Sequence, residues 1–184
     1  MKKMIISVLG KDRPGIIAAV TRILFEQACN IENVSQTILQ HEFSGIFIVA
    51  VPPRVPKAHL HRQLKEGLAP MGLHVFEKTL SQTTPPLTAV PSEPFVITTR
   101  GPDRKGLVAA ITAVMAAHRV NVTGLQAVFK GGADPNANIM IYEVDIPSDA
   151  DHACLRRELR ETALALSLDL SIQHKLIFEA INRV

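Results

Sequence analysis

The chain has 184 residues, 47% of them apolar, with one Tyr, no Trp and a formal net charge of +3. That length leaves room for one large domain or two small ones, each able to bury a workable core. The charge is modest and uneven, with ten Lys/Arg against six Asp/Glu in residues 1–91 and ten against eleven in 92–184. It forms no like-charge block and no basic cluster interleaved with aromatics, which argues against direct nucleic-acid binding.

The opening MKKMIISVLG places two lysines before a short apolar run. Lys11, Asp12 and Arg13 interrupt that run and no small-residue cleavage site follows, so Met4–Leu9 is expected to be a strand and not a leader peptide. Pro14 suits the first turn of a helix expected to run to about Ala28. Strands are expected at Ile31–Gln40 and Ile46–Val51, joined by a tight turn around Ser44–Gly45. Leu60, Leu64, Leu68 and Met71 recur at helical spacing in Pro56–Met71, and Leu73–Leu80 closes the unit as a strand. Residues 82–94 hold four prolines and read as a spacer.

Beyond the spacer the order repeats: a strand at Phe95–Arg100, a helix over Lys105–Arg119, strands at Val122–Lys130 and Asn138–Ile146, a helix over Ala150–Leu168 and a strand at Leu170–His174. The connection Lys130–Asn138 is longer than its counterpart. Leu176–Val184 has apolar residues at helical spacing and is expected to form a short helical tail, stable only if it docks.

Duplication explains this order. A shift of 91 residues aligns Gly10–Ile31 with Gly101–Val122, and eight of the 22 positions are identical: Gly, Asp, Arg, Gly, Ala, Ala, Thr and Asn. Ile16, Ile17, Val20, Ile23 and Leu24 fall on Leu107, Val108, Ile111, Val114 and Met115, one apolar helix face written twice. Each half is therefore expected to be an α+β, ferredoxin-like βαββαβ unit. Its four-stranded antiparallel sheet, ordered 4-1-3-2, should carry two helices on one face. The domains expected are 1–81 and 95–184, with 82–94 between them.

The repeated turn, GKDRPG in one half and GPDRKG in the other, has a chemistry that suits a free amino acid. A helix N-terminus offers unpaired N–H groups to a carboxylate. Asp12 can accept from an ammonium, Gly10 and Gly15 allow close backbone approach, and Asn30 can donate and accept. The same residues also serve structure, because Asp caps helices, Pro suits a first turn and Gly relieves a tight strand-to-helix turn. Arg13 and Arg104 recur although no turn requires Arg, and are assigned first to pairing with a carboxylate. Lys105 replaces Pro14, so the second turn is expected to differ from the first.

G-K-D-R-P-G-I-I-A-A-V followed by N-I at a strand start resembles the ACT domain, a ferredoxin-like amino-acid-sensing module. Two in tandem resemble the family of glycine cleavage system transcriptional repressors. The resemblance covers essentially the whole chain and implies ligand contacts at Gly10, Asp12 and Asn30, and at Gly101, Asp103 and Asn121; Gly15 and its counterpart Gly106 join the expected ligand-binding set as glycines that let the backbone approach closely. It implies a non-enzymatic regulator that binds an amino acid such as glycine or serine and modulates a partner transcription factor through protein–protein contact. The alternatives are a regulatory subunit of an amino-acid metabolic enzyme and a small enzyme of the same fold.

No cofactor is implied, and no metal. His59 and His61 are two apart on a helix and point to different faces, Gly131–Gly132 lacks the remainder of a phosphate loop, and no His/Cys/carboxylate cluster is visible along the sequence. Isolated Cys29 and Cys154 suggest buried thiols in a reducing cytoplasm. No run approaches the roughly 20 apolar residues of a membrane span, so no membrane association is expected. Unpaired sheet edges invite pairing, so a homodimer is expected.

Overall fold

The computed structural model describes residues 2–80, 91–129 and 138–182. The chain divides into two compact units, Met1–Pro85 and Pro86–Val184. The first comprises β1 (Lys2–Lys11), α1 (Ile16–Glu26), β2 (Asn30–Leu39), β3 (Glu42–Val51), α2 (Lys57–Leu68) with a following 3-10 turn (Ala69–Met71), and β4 (His74–Thr79). The second comprises β5 (Ser92–Gly101), α3 (Leu107–Ala117), β6 (Asn121–Phe129), β7 (Asn138–Pro147), α4 (His152–Ala165), β8 (Asp169–His174) and α5 (Lys175–Asn182). The sheets run β2-β3-β1-β4 and β6-β7-β5-β8, antiparallel throughout, which is the expected 4-1-3-2 order read from the other edge.

Alternation along the strands explains which face is covered. Met4, Ile6 and Val8 of β1 and Phe43, Phe47 and Val49 of β3 point to one side, where they meet Val20 and Leu24 of α1 and Leu60, Leu64 and Leu68 of α2. In the second unit Ile97, Tyr142 and Val144 meet Ile111 and Met115 of α3 and Leu155 and Leu159 of α4 in the same way.

The backbone is duplicated as faithfully as the sequence. The edge strands β2 and β6 carry a register shift at the same place, Ile31/Asn33 in one unit and Val122/Gly124 in the other. α1 and α3 both end with a residue in the left-handed region, Ala28 at φ 53° and Arg119 at φ 59°. The N–H groups of Cys29 and Val120 then reach back to the carbonyls of Leu24 and Met115.

Four local expectations need correction. The β2–β3 connection falls at Gln40–His41, with Gln40 at φ 58°, and not at Ser44–Gly45. Gly45 is a strand residue whose missing side chain leaves room for the Phe43 ring, which would lie 2.7 Å from an added Cβ. Pro14 precedes α1 instead of entering its first turn, because Gly15 forms the N-cap at φ 95°. Ser92–Pro94 belong to β5 and not to the spacer. β8 joins only from Phe95 onward, so Pro94 lies where β5 is locally an edge. Cys29 and Cys154 are half-buried, not buried, and both are free thiols.

The tail is helical as expected, beginning at Lys175, where Nζ lies 2.7 Å from Glu143 Oε2 of β7. Among the described residues no helix is long and apolar enough to cross a membrane. Residues 82–90 of the spacer and most of the Lys130–Asn138 connection, with Gly131–Gly132, lie outside the described residues.

Candidate functional site

The two strand-to-helix turns share one geometry. Gly15 (φ 95°, ψ −4°) and Gly106 (φ 90°, ψ −2°) cap α1 and α3 in the left-handed region, so Lys105 in place of Pro14 leaves the turn unchanged. Neither helix start receives a side-chain cap. The first α3 hydrogen bond runs from Ala110 N–H to Gly106 C=O, so the N–H groups before Ala110 have no intrahelical acceptor. Gly10 and Gly101 have a different task. An added Cβ would lie 2.9 Å from Gly72 O and Leu73 Cδ2 at Gly10, and 2.7 Å from Ser167 O at Gly101. The close backbone approach at these glycines is made by the chain itself.

A pocket opens at each helix start. In the second unit it has a volume of about 530 Å³ and is lined by Asp103, Arg104, Gly106, Leu107, Asn138 and Met140 among others. In the first its volume is about 270 Å³, and Asp12, Arg13, Gly15, Gln36, Ile38 and Phe43 contribute to it. Asn138 faces Gly101 across the ladder as Phe43 faces Gly10, so the two residues occupy one structural position. The substitution changes the chemistry of the wall. Asn138 is 6% exposed, donates from Nδ2 to Asp103 Oδ1 at 3.4 Å, and has no partner for Oδ1 among the described residues. Phe43 offers no polar atom.

Arg13 and Arg104 line the pockets but form no ion pair with a carboxylate among the described residues, contrary to the pairing expected for them. Asn30 and Asn121 lie elsewhere. Asn30 pairs with Ala50 and Asn121 with Asp145, each seven residues along the ladder from the pocket-wall residue, about 23 Å at the usual rise per strand residue. Within a unit the structure groups Asp12 with Gly15, and Asp103 with Gly106, Arg104 and Asn138. Asn138 escaped the sequence because it has no identical counterpart and sits after a connection of unequal length.

The ACT domain model matches residues 2–77 and again 93–173. The chain belongs to the ACT domain family. A stretch of about one module's length is similar to a UPF0237 protein of Methanocaldococcus jannaschii, 34% identical over 76 residues that cover 41% of this chain and 84% of the relative. A UPF0237 protein of Clostridium acetobutylicum is 52% identical over 46 residues, 25% of this chain and 52% of the relative. Among solved structures, a protein of unknown identity from Galdieria sulphuraria superposes with a TM-score of 0.76 at 21% identity, covering 94% of this chain and 98% of that one. A candidate glycine cleavage system transcriptional repressor gives 0.63 at 20% identity, covering 94% and 96%. At such identities the likeness of these structures speaks to the tandem ACT fold.

The helices also assemble a cluster that the sequence did not show. His118 and the sequence-distant Cys154 and Glu158 present ligating atoms within 4.8 Å of one another. His59 and His61 do diverge as expected: His61 Nδ1 lies 2.8 Å from Glu77 Oε2, and His59 lies beside Arg62.

Proposed function

We propose that the protein is a non-enzymatic, cytoplasmic regulator that binds a free α-amino acid at the strand-to-helix turn and changes its contact with a partner protein. In the fullest form of this reading, the partner is a transcription factor of amino-acid metabolism, glycine cleavage among the candidates. The observation that carries the reading is Asn138 Oδ1, buried with no partner among the described residues, beside the Asp103 carboxylate at the start of α3. A buried polar oxygen without a donor costs free energy, and an ammonium group would supply the donor. Asp103 and Asn138 then hold the ammonium, while Arg104 and the N–H groups at the start of α3 hold the carboxylate. Leu107, Val108 and Met140 leave an apolar surface for a small side chain.

The partner contact is supported by the uncovered face of the first sheet, where Leu9, Ile46 and Phe76 stand 44%, 47% and 63% exposed. The same face would serve a homodimer.

The test is calorimetry of the full chain with the twenty amino acids, followed by Asp103→Ala. Loss of a charge-assisted hydrogen bond of about 1.5–3 kcal/mol weakens affinity roughly 10- to 150-fold without unfolding the chain. Wild-type affinity in Asp103→Ala, or no heat from any amino acid, would reject the site.

A further inference from the structure

At the opposite end of α3 from the amino-acid pocket, His118 forms the helix C-cap. Its Nε2 donates to Glu158 Oε2 of α4 at 3.0 Å. One turn earlier on α4, the Cys154 thiol donates to the other oxygen, Oε1, at 3.2 Å. Cys154 and Glu158 are four apart and share a helix face. Imidazole, thiol and carboxylate thus converge from two helices, all half-buried.

We propose that His118 Nε2, Cys154 Sγ and Glu158 form a binding site for a divalent cation of the zinc class, with a fourth position left to water. The donor set selects the ion. Mg²⁺ and Ca²⁺ take oxygen ligands almost exclusively, whereas nitrogen, sulfur and carboxylate together suit Zn²⁺. The ligating atoms lie within 4.8 Å of one another, and Zn–ligand distances of about 2.0–2.3 Å ask neighbouring tetrahedral ligand atoms to stand about 3.3–3.6 Å apart, a difference that side-chain rotation can close. A thiolate and a carboxylate neutralise the two positive charges. The C-terminal end of α3, where His118 sits, adds a favourable negative potential.

Binding exchanges the hydrogen bonds for coordination bonds. The thiol proton leaves to solvent as the S–Zn bond forms. His118 passes to the tautomer protonated at Nδ1, freeing the Nε2 lone pair. Arg157 Nη2, 3.1 Å from the sulfur, belongs to an exposed side chain that can swing away.

The site belongs to the second unit alone. Gln27 caps α1 where His118 caps α3. Matching the buried Leu60 and Leu64 of α2 to Leu155 and Leu159 of α4 places His59 and Gln63 at the positions of Cys154 and Glu158. The first unit therefore has polar residues there without the thiolate or the carboxylate.

The experiment titrates Co²⁺, a spectroscopic stand-in for Zn²⁺, into the chelator-treated full chain. One equivalent is expected to produce an intense thiolate-to-cobalt charge-transfer band that Zn²⁺ then bleaches. Cys154→Ser should abolish the band and Cys29→Ser should leave it intact. His118→Gln and Glu158→Gln, which install side chains of the kind the first unit already tolerates, should each weaken Co²⁺ binding at least about tenfold. Asp103→Ala should leave cobalt binding unchanged, which separates this site from the amino-acid pocket. Absence of the band in the wild-type protein, its survival in Cys154→Ser, or wild-type affinity in both glutamine variants would overturn the proposal.

Discussion

Leu73 and Leu168 occupy the space that a methyl group on Gly10 or Gly101 would need, with carbonyl oxygens of the preceding residues closing it from the other side. Gly10→Ala and Gly101→Ala are therefore expected to destabilise their units by about 1–3 kcal/mol, the usual cost of overpacking, as a lower thermal midpoint. In a glycine-rich turn the same letter serves packing or ligand approach, so the sequence marked these positions without telling which. Asn138 behaves oppositely. Asn138→Val removes an unsatisfied buried oxygen and a long hydrogen bond, so the ligand-free protein should be at least as stable as wild type, by up to about 1 kcal/mol, while amino-acid affinity falls. A variant that loses stability and keeps affinity would make Asn138 a packing residue.

Among the elements, the paired central strands show how one repeat was altered. Ile6 of β1 faces Phe47 and Ile97 of β5 faces Tyr142, so Val8/Phe47 in the first unit become Thr99/Tyr142 in the second. Burial raises the Tyr142 phenol above its usual pKa, and the neighbouring Thr99 hydroxyl opposes that shift without giving Tyr142 Oη a well-formed hydrogen bond. Restoring the first unit's pair, Thr99→Val with Tyr142→Phe, should raise stability by about 1 kcal/mol, or several degrees in thermal midpoint for a unit of this size. A clear loss in the double variant would show that the two hydroxyls are satisfied together. The strands themselves were legible because alternation fixes which face is buried, and the first helices because their apolar stripe is written twice. The β2–β3 turn was not legible: Ser44–Gly45 has turn composition, yet the inward run Phe43, Phe47, Val49 carries the strand straight through it. The metal-type cluster was hidden for another reason, since His118 lies 36 residues from Cys154 and only the packing of α3 on α4 brings them together.

For the molecule as a whole, duplication raises the question of how many ligands one chain holds. The two turns are alike in backbone, and each has its Asp, Arg and left-handed Gly, which by itself would argue for two equal sites. The walls differ: the second pocket has an acceptor at Asn138 and about twice the volume, whereas the first has Phe43 in that place. In the first pocket Phe43 supplies no acceptor, and Gln36, the polar side chain of that wall, is exposed and already solvated, so an ammonium gains less there than beside the buried Asn138, where a hydrogen bond to a charged partner is worth about 1.5–3 kcal/mol. Calorimetry on the full chain should therefore give one tight amino-acid site, lost in Asp103→Ala and retained in Asp12→Ala. The chain supplies its own reporter of where that site lies. Tyr142 is the single tyrosine, there is no tryptophan, and it sits at 0% exposure in the core of the second unit. A thermal melt followed by tyrosine emission thus reads the second unit. Ligand at 100 times its dissociation constant should stabilise that unit by about 2.7 kcal/mol and move the tyrosine transition upward accordingly. Two equal sites by calorimetry, or a tyrosine transition that stays in place while calorimetry shows saturation, would mean that the Phe43-for-Asn138 difference does not set the occupancy.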